Sequence, residues 1–167
     1  IAFLYIIEEI LKKLCNYVSW FYQSAKYLWR FAVVMSQTAA SEKQVFSYDG
    51  INVIYYVAGQ GYPILLLHGW GCSHETMQPV YEHLKQHYRV YNFDFPGFGE
   101  SEEPKEVWGT LEYADMIVAF IELHCQQPPV LIAHSFGGRI SLRLGARGIP
   151  HKMVLTGCAG LKPKRGM

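Results

Sequence analysis

Charge of one sign is missing from this sequence of 167 residues: 15 Lys and Arg stand against 14 Asp and Glu, leaving a formal charge of +1. Without a basic field to neutralise phosphates, the composition argues against nucleic acid as a partner. Four scattered cysteines, Cys15, Cys72, Cys125 and Cys158, form no C-x-x-C pair. That spacing suits neither a zinc site nor a disulfide framework, and it points to a reducing, cytoplasmic setting with no metal and no cofactor. Within residues 1–36 no uncharged stretch reaches the ~18 residues that a spanning helix needs. No internal repeat is present, and the first residue is not Met. Half of the residues are hydrophobic and 15% are aromatic, enough for one domain with a sizeable core.

Residues 1–36 differ from the rest. At helical spacing Glu8, Glu9, Lys12, Lys13, Asn16, Ser19, Gln23, Lys26 and Arg30 gather on one side, opposite Leu11, Leu14, Tyr17, Trp20, Phe21, Leu28 and Trp29. Acidic Glu8 and Glu9 after the apolar residues 1–7 argue against a secretory signal. Two readings stand for this amphipathic helical extension. Residues 1–34 make a weak contact with a membrane surface or partner, or they are not native and the protein starts at Met35. Residues 37–167 are the N-terminal portion of the main domain.

From Gln44 the pattern turns to strands. Residues 44–48 and 51–58 flank Asp49-Gly50 and predict a hairpin. The continuous apolar run 64–67 reads as a strand covered on both faces. Met77, Val80, Tyr81, Leu84 and Tyr88 then fall at helical spacing, with Pro79 in the first turn. Strand 89–94, helix 111–125, strand 130–133, helix 136–146 and strand 153–156 follow. Such alternation gives an α/β fold, a mostly parallel sheet with helices on both faces, whose sites lie at the carboxyl ends of the strands. His68-Gly69-Trp70, Asp94 and Ser135 all fall at those ends.

The richest stretch is Val130-Leu-Ile-Ala-His-Ser-Phe-Gly-Gly138. A short apolar strand runs straight through Ser135 into a helix start, the context that exposes a serine hydroxyl above a sheet. Close approach of strand and helix explains the small residues Ala133 and Gly137 on either side. The helix start also aims free N–H groups at any negative charge forming there.

Three motifs in order, Leu67-His-Gly-Trp-Gly71, Asp94-Phe-Pro-Gly-Phe-Gly-Glu-Ser101 and Ala133-His-Ser-Phe-Gly-Gly138, resemble the α/β-hydrolase fold superfamily, and within it the cap-bearing serine hydrolases such as carboxylesterases and C–C hydrolases. The resemblance implies Ser135 as nucleophile and the backbone N–H groups of Trp70 and Phe136 as the oxyanion hole. It implies support from His68, Gly69, Gly71 and Gly137, and a small-molecule ester or acyl substrate. It places Asp94 in a structural turn. The Trp70 side chain reads as an apolar plug at the pocket floor. His74, His83, His87, His124 and His151 read as solvated surface residues, and His134, on the opposite face from its neighbour, is not a base.

In that family the acid and histidine of the triad follow the serine. Residues 136–167 contain no Asp or Glu, and their one histidine, His151, precedes a strand at the wrong end of the sheet. The expectation is a fold truncated after about the sixth strand, with residues 162–165 entering a cap and the isolated fragment inactive. A non-catalytic binding or receptor protein on the same scaffold is the alternative; a lyase or cofactor-free oxygenase is a third.

Overall fold

The computed structural model describes residues 40–158. The expected extension over residues 1–36 and the expected cap entry at 162–165 lie outside these residues.

Six strands form one sheet: β1 (Glu42–Tyr48), β2 (Ile51–Ala58), β3 (Pro63–Leu67), β4 (Arg89–Phe93), β5 (Val130–His134) and β6 (Lys152–Thr156), in the spatial order β1-β2-β4-β3-β5-β6. β1 pairs with β2 and β2 with β4 antiparallel; all other neighbours are parallel. The β1–β2 hairpin closes through Asp49 (φ 50°) and Gly50 (φ 73°), the left-handed pair that a two-residue turn of this twist requires.

A short 3-10 helix, His74–Met77, leads into α1 (Gln78–Leu84); α2 (Thr110–His124) and α3 (Phe136–Ala146) complete the helices. The sequence predicts one helix from 77 to 88, but it ends at Leu84. Tight turns take over there, with the N–H groups of His87 and Tyr88 both donating to Leu84 O. At the start of α2, Glu112 Oε2 accepts the Gly109 N–H at 2.8 Å, which helps cap that end.

Period-two alternation explains the uninterrupted apolar run in β3. Leu65 and Leu67 join Phe46, Tyr55, Phe93, Leu131, Phe120 and Ile140 in the larger core, under α2 and α3. Ile64 and Leu66 face the other way, onto Ala58, Val90, Met77 and Tyr81 beside α1. Both faces of β3 are covered, so neither can be polar.

Topology then selects one spot. The chain passes from β3 to β4 in one direction across the sheet and returns over β3 to β5, with helices on opposite faces. The order therefore reverses between β3 and β5, and ligands in open parallel sheets bind at the strand carboxyl ends there. Register puts Leu67 beside Ala133 and Leu66 beside both Ile132 and Asn92, so β4, β3 and β5 end at one level.

Among the described residues β6 pairs on one side only, and Met153 and Val154 are exposed. A free hydrophobic edge templates association. The 167-residue chain is expected to show concentration-dependent association in sedimentation velocity, and Val154→Lys to reduce it. A monodisperse parent chain would contradict this.

Candidate functional site

Ser135 links β5 to α3 with φ 48° and ψ −105°, one of two non-glycine residues at positive φ among the described residues. Such a conformation costs of order 1–3 kcal/mol and persists only where neighbours enforce it. Three hydrogen bonds do so here. Ser135 N–H donates to Thr156 O (2.9 Å), Gly137 N–H to His68 O (3.0 Å), and Arg139 N–H to Ser135 O (3.3 Å). A β-carbon on Gly137 would lie 2.3 Å from Leu67 O and 2.7 Å from His68 O, so only glycine lets α3 come this close to β3. Ser135 is half-buried, and its hydroxyl has no hydrogen-bond partner among the described residues.

The loop after β3 lies against it. A β-carbon on Gly69 would come within 3.2 Å of His134 Cδ2 and 3.4 Å of Ser135 Cβ, so this loop too packs with no side chain between. Gly71 takes φ 71°, and Cys72 N–H closes the turn onto Gly69 O at 3.2 Å. Among the described residues neither the Trp70 N–H nor the Phe136 N–H donates to a protein acceptor. Their side chains meet at right angles, ring centroids 5.1 Å apart. Both N–H groups are therefore unspent among the described residues, one in the segment that follows β3 and one in the segment that follows Ser135.

His68 is fully buried and has both ring nitrogens engaged. Nδ1–H donates to Gly69 O at 2.7 Å, and Nε2 accepts the Phe95 N–H at 3.0 Å. The ring is therefore neutral and bridges the loops that follow β3 and β4. Burial holds its pKa below the ordinary 6.5, against the opposing pull of the Gly69 carbonyl and of Asp94.

Asp94, with no exposed surface, anchors a turn. Its carboxylate accepts the backbone N–H of His74 (2.6 Å), the Nδ1–H of the same residue (2.9 Å) and the backbone N–H of Glu100 (3.0 Å). Gly99, at φ 57°, leaves room where a β-carbon would sit 2.2 Å from the carboxyl carbon. Ser101 Oγ donates to Asp94 O and accepts from Ile54 N–H. The expectation of a structural turn agrees with this geometry.

His74 and His124 correct the reading of solvated surface histidines. The His74 side chain keeps 15% of its surface, bonds Asp94, and stacks on Tyr56 at 4.2 Å. Tyr56 in turn donates to Glu100, which also pairs with Lys43; the bond to Glu100 helps raise the Tyr56 pKa to about 12. His74, Asp94 and Glu100 lie close enough to share a metal ion. Their ligand atoms, however, are already committed to one another, to Lys43 and to Tyr56. His124 stacks on Phe120 at 4.4 Å, partly buried. Sequence spacing missed His74 because Asp94 and Tyr56 are remote in sequence, and His124 because Phe46 and Tyr55, from β1 and β2, cover it together with Phe120.

Trp70 is a further correction. Its ring is 65% exposed, so it is no plug at a pocket floor and stands at the rim. His134 is held at the strand end, Nδ1 3.2 Å from Thr156 Oγ1. His151 lies before β6, at the far end of the sheet from Ser135.

A family model described as the alpha/beta hydrolase fold matches residues 62–157, more than half of the chain, and the chain belongs to that family. It is similar to (E)-2-((N-methylformamido)methylene)succinate hydrolase of Acinetobacter baylyi, 31% identical over 87 residues, which are 52% of this chain and 33% of that protein. It is similar also to a pimeloyl-acyl-carrier-protein methyl ester esterase of Vibrio cholerae, 31% identical over 90 residues, 54% of this chain and 33% of that protein. The matched stretch thus spans about a third of these curated relatives. Among solved structures, an alpha/beta hydrolase fold protein from Burkholderia ambifaria superposes with a TM-score of 0.67 at 24% identity, covering 72% of this chain and 45% of that one. No helix among the described residues is long and apolar enough to cross a membrane.

Two outcomes are expected. Asp94→Ala removes the acceptor of two part-buried backbone donors and should lower the unfolding free energy by about 1–3 kcal/mol in urea titrations; a loss within measurement error would contradict the anchoring role. His68 has a folded pKa below its unfolded value, so only the unfolded state gains a proton as pH falls through 6.5. Its contribution is therefore complete above that pH and declines below it. The partly buried His124 adds in the same direction. The urea midpoint should fall between pH 7 and 5, less so in His68→Gln.

Proposed function

We propose that this chain carries the nucleophile half of a serine hydrolase acting on carboxylic esters or related acyl substrates. The observation that carries the reading is the enforced backbone of Ser135; the Trp70 and Phe136 N–H groups, which no acceptor among the described residues uses, support it. Ser135 Oγ adds to the ester carbonyl carbon, and the hydroxyl proton passes to a base. Negative charge gathers on the former carbonyl oxygen, where the Trp70 and Phe136 N–H groups receive it. One such fixed donor is commonly worth about 3–4 kcal/mol, because it need not reorganise as the charge forms. Collapse expels the alcohol and leaves an acyl group on Ser135, which water then removes. His68, Gly69, Gly71 and Gly137 serve as supports, the histidine by joining two loops and the glycines by admitting close backbone contact. The names of the two curated relatives, a hydrolase and an esterase, agree with this class.

Neither histidine in the loops after β3 is free to serve as the base. His68 has no free nitrogen, His74 is committed to Asp94, and residues 136–167 supply no acid. The reading therefore assigns the triad's acid and histidine to sequence outside these residues, with the 167-residue chain inactive alone. The second reading is a binding protein that keeps the pocket without turnover.

A fluorophosphonate probe is expected to label the complete protein at one serine, mapped to Ser135 by peptide mass spectrometry. Ser135→Ala should abolish both the label and the hydrolysis of p-nitrophenyl acetate while leaving the melting temperature nearly unchanged. Labelling elsewhere, or none, would remove the hydrolase reading and favour the binding protein.

A further inference from the structure

Trp70, whose ring meets that of Phe136 next to Ser135, also lines an open cleft of about 390 Å³ that the proposed chemistry does not use. Its size falls within the range of small-ligand pockets, roughly 300–1,000 Å³. Four aromatic residues line it: Trp70, Phe98, Trp108 and Tyr113. Trp70 meets Phe98 at 75° with centroids 4.9 Å apart, and Trp108 meets Tyr113 at 81° and 5.3 Å. Rings in pairs near a right angle make corners, as the walls of a box do. Tyr113 Oη–H donates to Pro96 O at 2.9 Å, so its hydroxyl is already satisfied and its ring is fixed.

Two carboxylates, Glu103 and Glu106, join this lining, and neither has an ion-pair or hydrogen-bond partner among the described residues. Lys105 is the cation that lines the cleft. It stands close enough to Glu102 to help hold that carboxyl below its usual range, behind the stronger hydrogen bonds from Asn52. The negative charge of Glu103 and Glu106 is therefore only partly compensated. Ring faces carry negative quadrupole density, and a cation held over them gains most when little hydrated. A primary ammonium is strongly hydrated and needs fixed acceptors, whereas a trimethylated one fills a ring-walled space with methyl groups and brings its charge to the carboxylates.

We infer that this cleft receives a quaternary ammonium group on the alcohol portion of the substrate, making choline-like esters the favoured class. The inference rests on the serine-hydrolase reading, because the ring of Trp70 forms the wall while its backbone N–H faces the reacting carbonyl. Phe136, next to Ser135, touches that ring, so an ester seated at the serine reaches the cleft within a short chain.

The test is direct binding to the complete protein, followed through tryptophan indole N–H resonances in ¹H–¹⁵N spectra at constant ionic strength. Trp108→Phe identifies one of the two relevant signals, and Trp70→Phe the other. Choline should shift both saturably. Its neutral isostere, 3,3-dimethyl-1-butanol, should bind about tenfold more weakly. The double variant Glu103→Gln, Glu106→Gln should weaken choline severalfold and leave the neutral alcohol unchanged. Equal binding of the two ligands, or no saturable shift at Trp70 and Trp108, would overturn the inference; the isostere comparison requires no variant to fold. Fluorophosphonate labelling of the complete protein separates the two proposals. Labelling at Ser135 without choline binding removes this inference alone, whereas choline binding without labelling removes the hydrolase reading.

Discussion

Everything at the end of this sheet depends on a contact between two backbones. Gly137, one turn-length into the segment after β5, donates its N–H to His68 O, with Leu67 O and His68 O where any β-carbon would stand. That approach pins the start of α3 to the end of β3. Once it is made, Ser135 has no ordinary conformation left, because the strand behind it is tied to β6 and the helix ahead to β3. The strain at Ser135 is thus a consequence of two well-satisfied neighbours rather than an isolated defect. The same contact sets the start of the loop after β3 against the serine, with Gly69 packed on His134 and Ser135.

A second layer of constraint holds that loop from outside. Neutral His68 spans the ends of β3 and β4, donating to one loop and accepting from the other. Buried Asp94 gathers the 3-10 helix start and the Gly99–Ser101 turn around its carboxylate. These polar groups sit inside an otherwise apolar end of the sheet, and each has its hydrogen bonds filled, as burial demands. Under the proposed serine-hydrolase reading, rigid support of this kind is what fixed donors require, since a donor that had to move would lose much of its worth.

The turns and the strand-to-helix junction at Ser135 were legible in the chain because they depend on local backbone chemistry. Asp49-Gly50 reads as a hairpin without knowledge of what the hairpin packs on, and the helix 136–146 falls where the sequence predicts it. Strand ends were legible to within a residue or two, since apolar runs stop where glycine, proline or polar residues begin. The histidines were less legible. His74 looks like any polar residue in a loop until Asp94, 20 positions away, and Tyr56, from another strand, close around it. Trp70 failed in the opposite direction: its hydrophobicity suggests burial, but the loop that carries it turns outward at Gly71.

By itself, then, the sequence determined which segments alternate, where the chain must turn left-handed, and which serine stands between strand and helix, because each is settled by neighbours along the chain. Only the tertiary structure decided which strand ends share a level, which side chains find buried partners, and which aromatic rings gather with Glu103 and Glu106 around one cleft. Those outcomes turn on sheet order and on distances between residues far apart in sequence, and no local pattern encodes a distance of that kind.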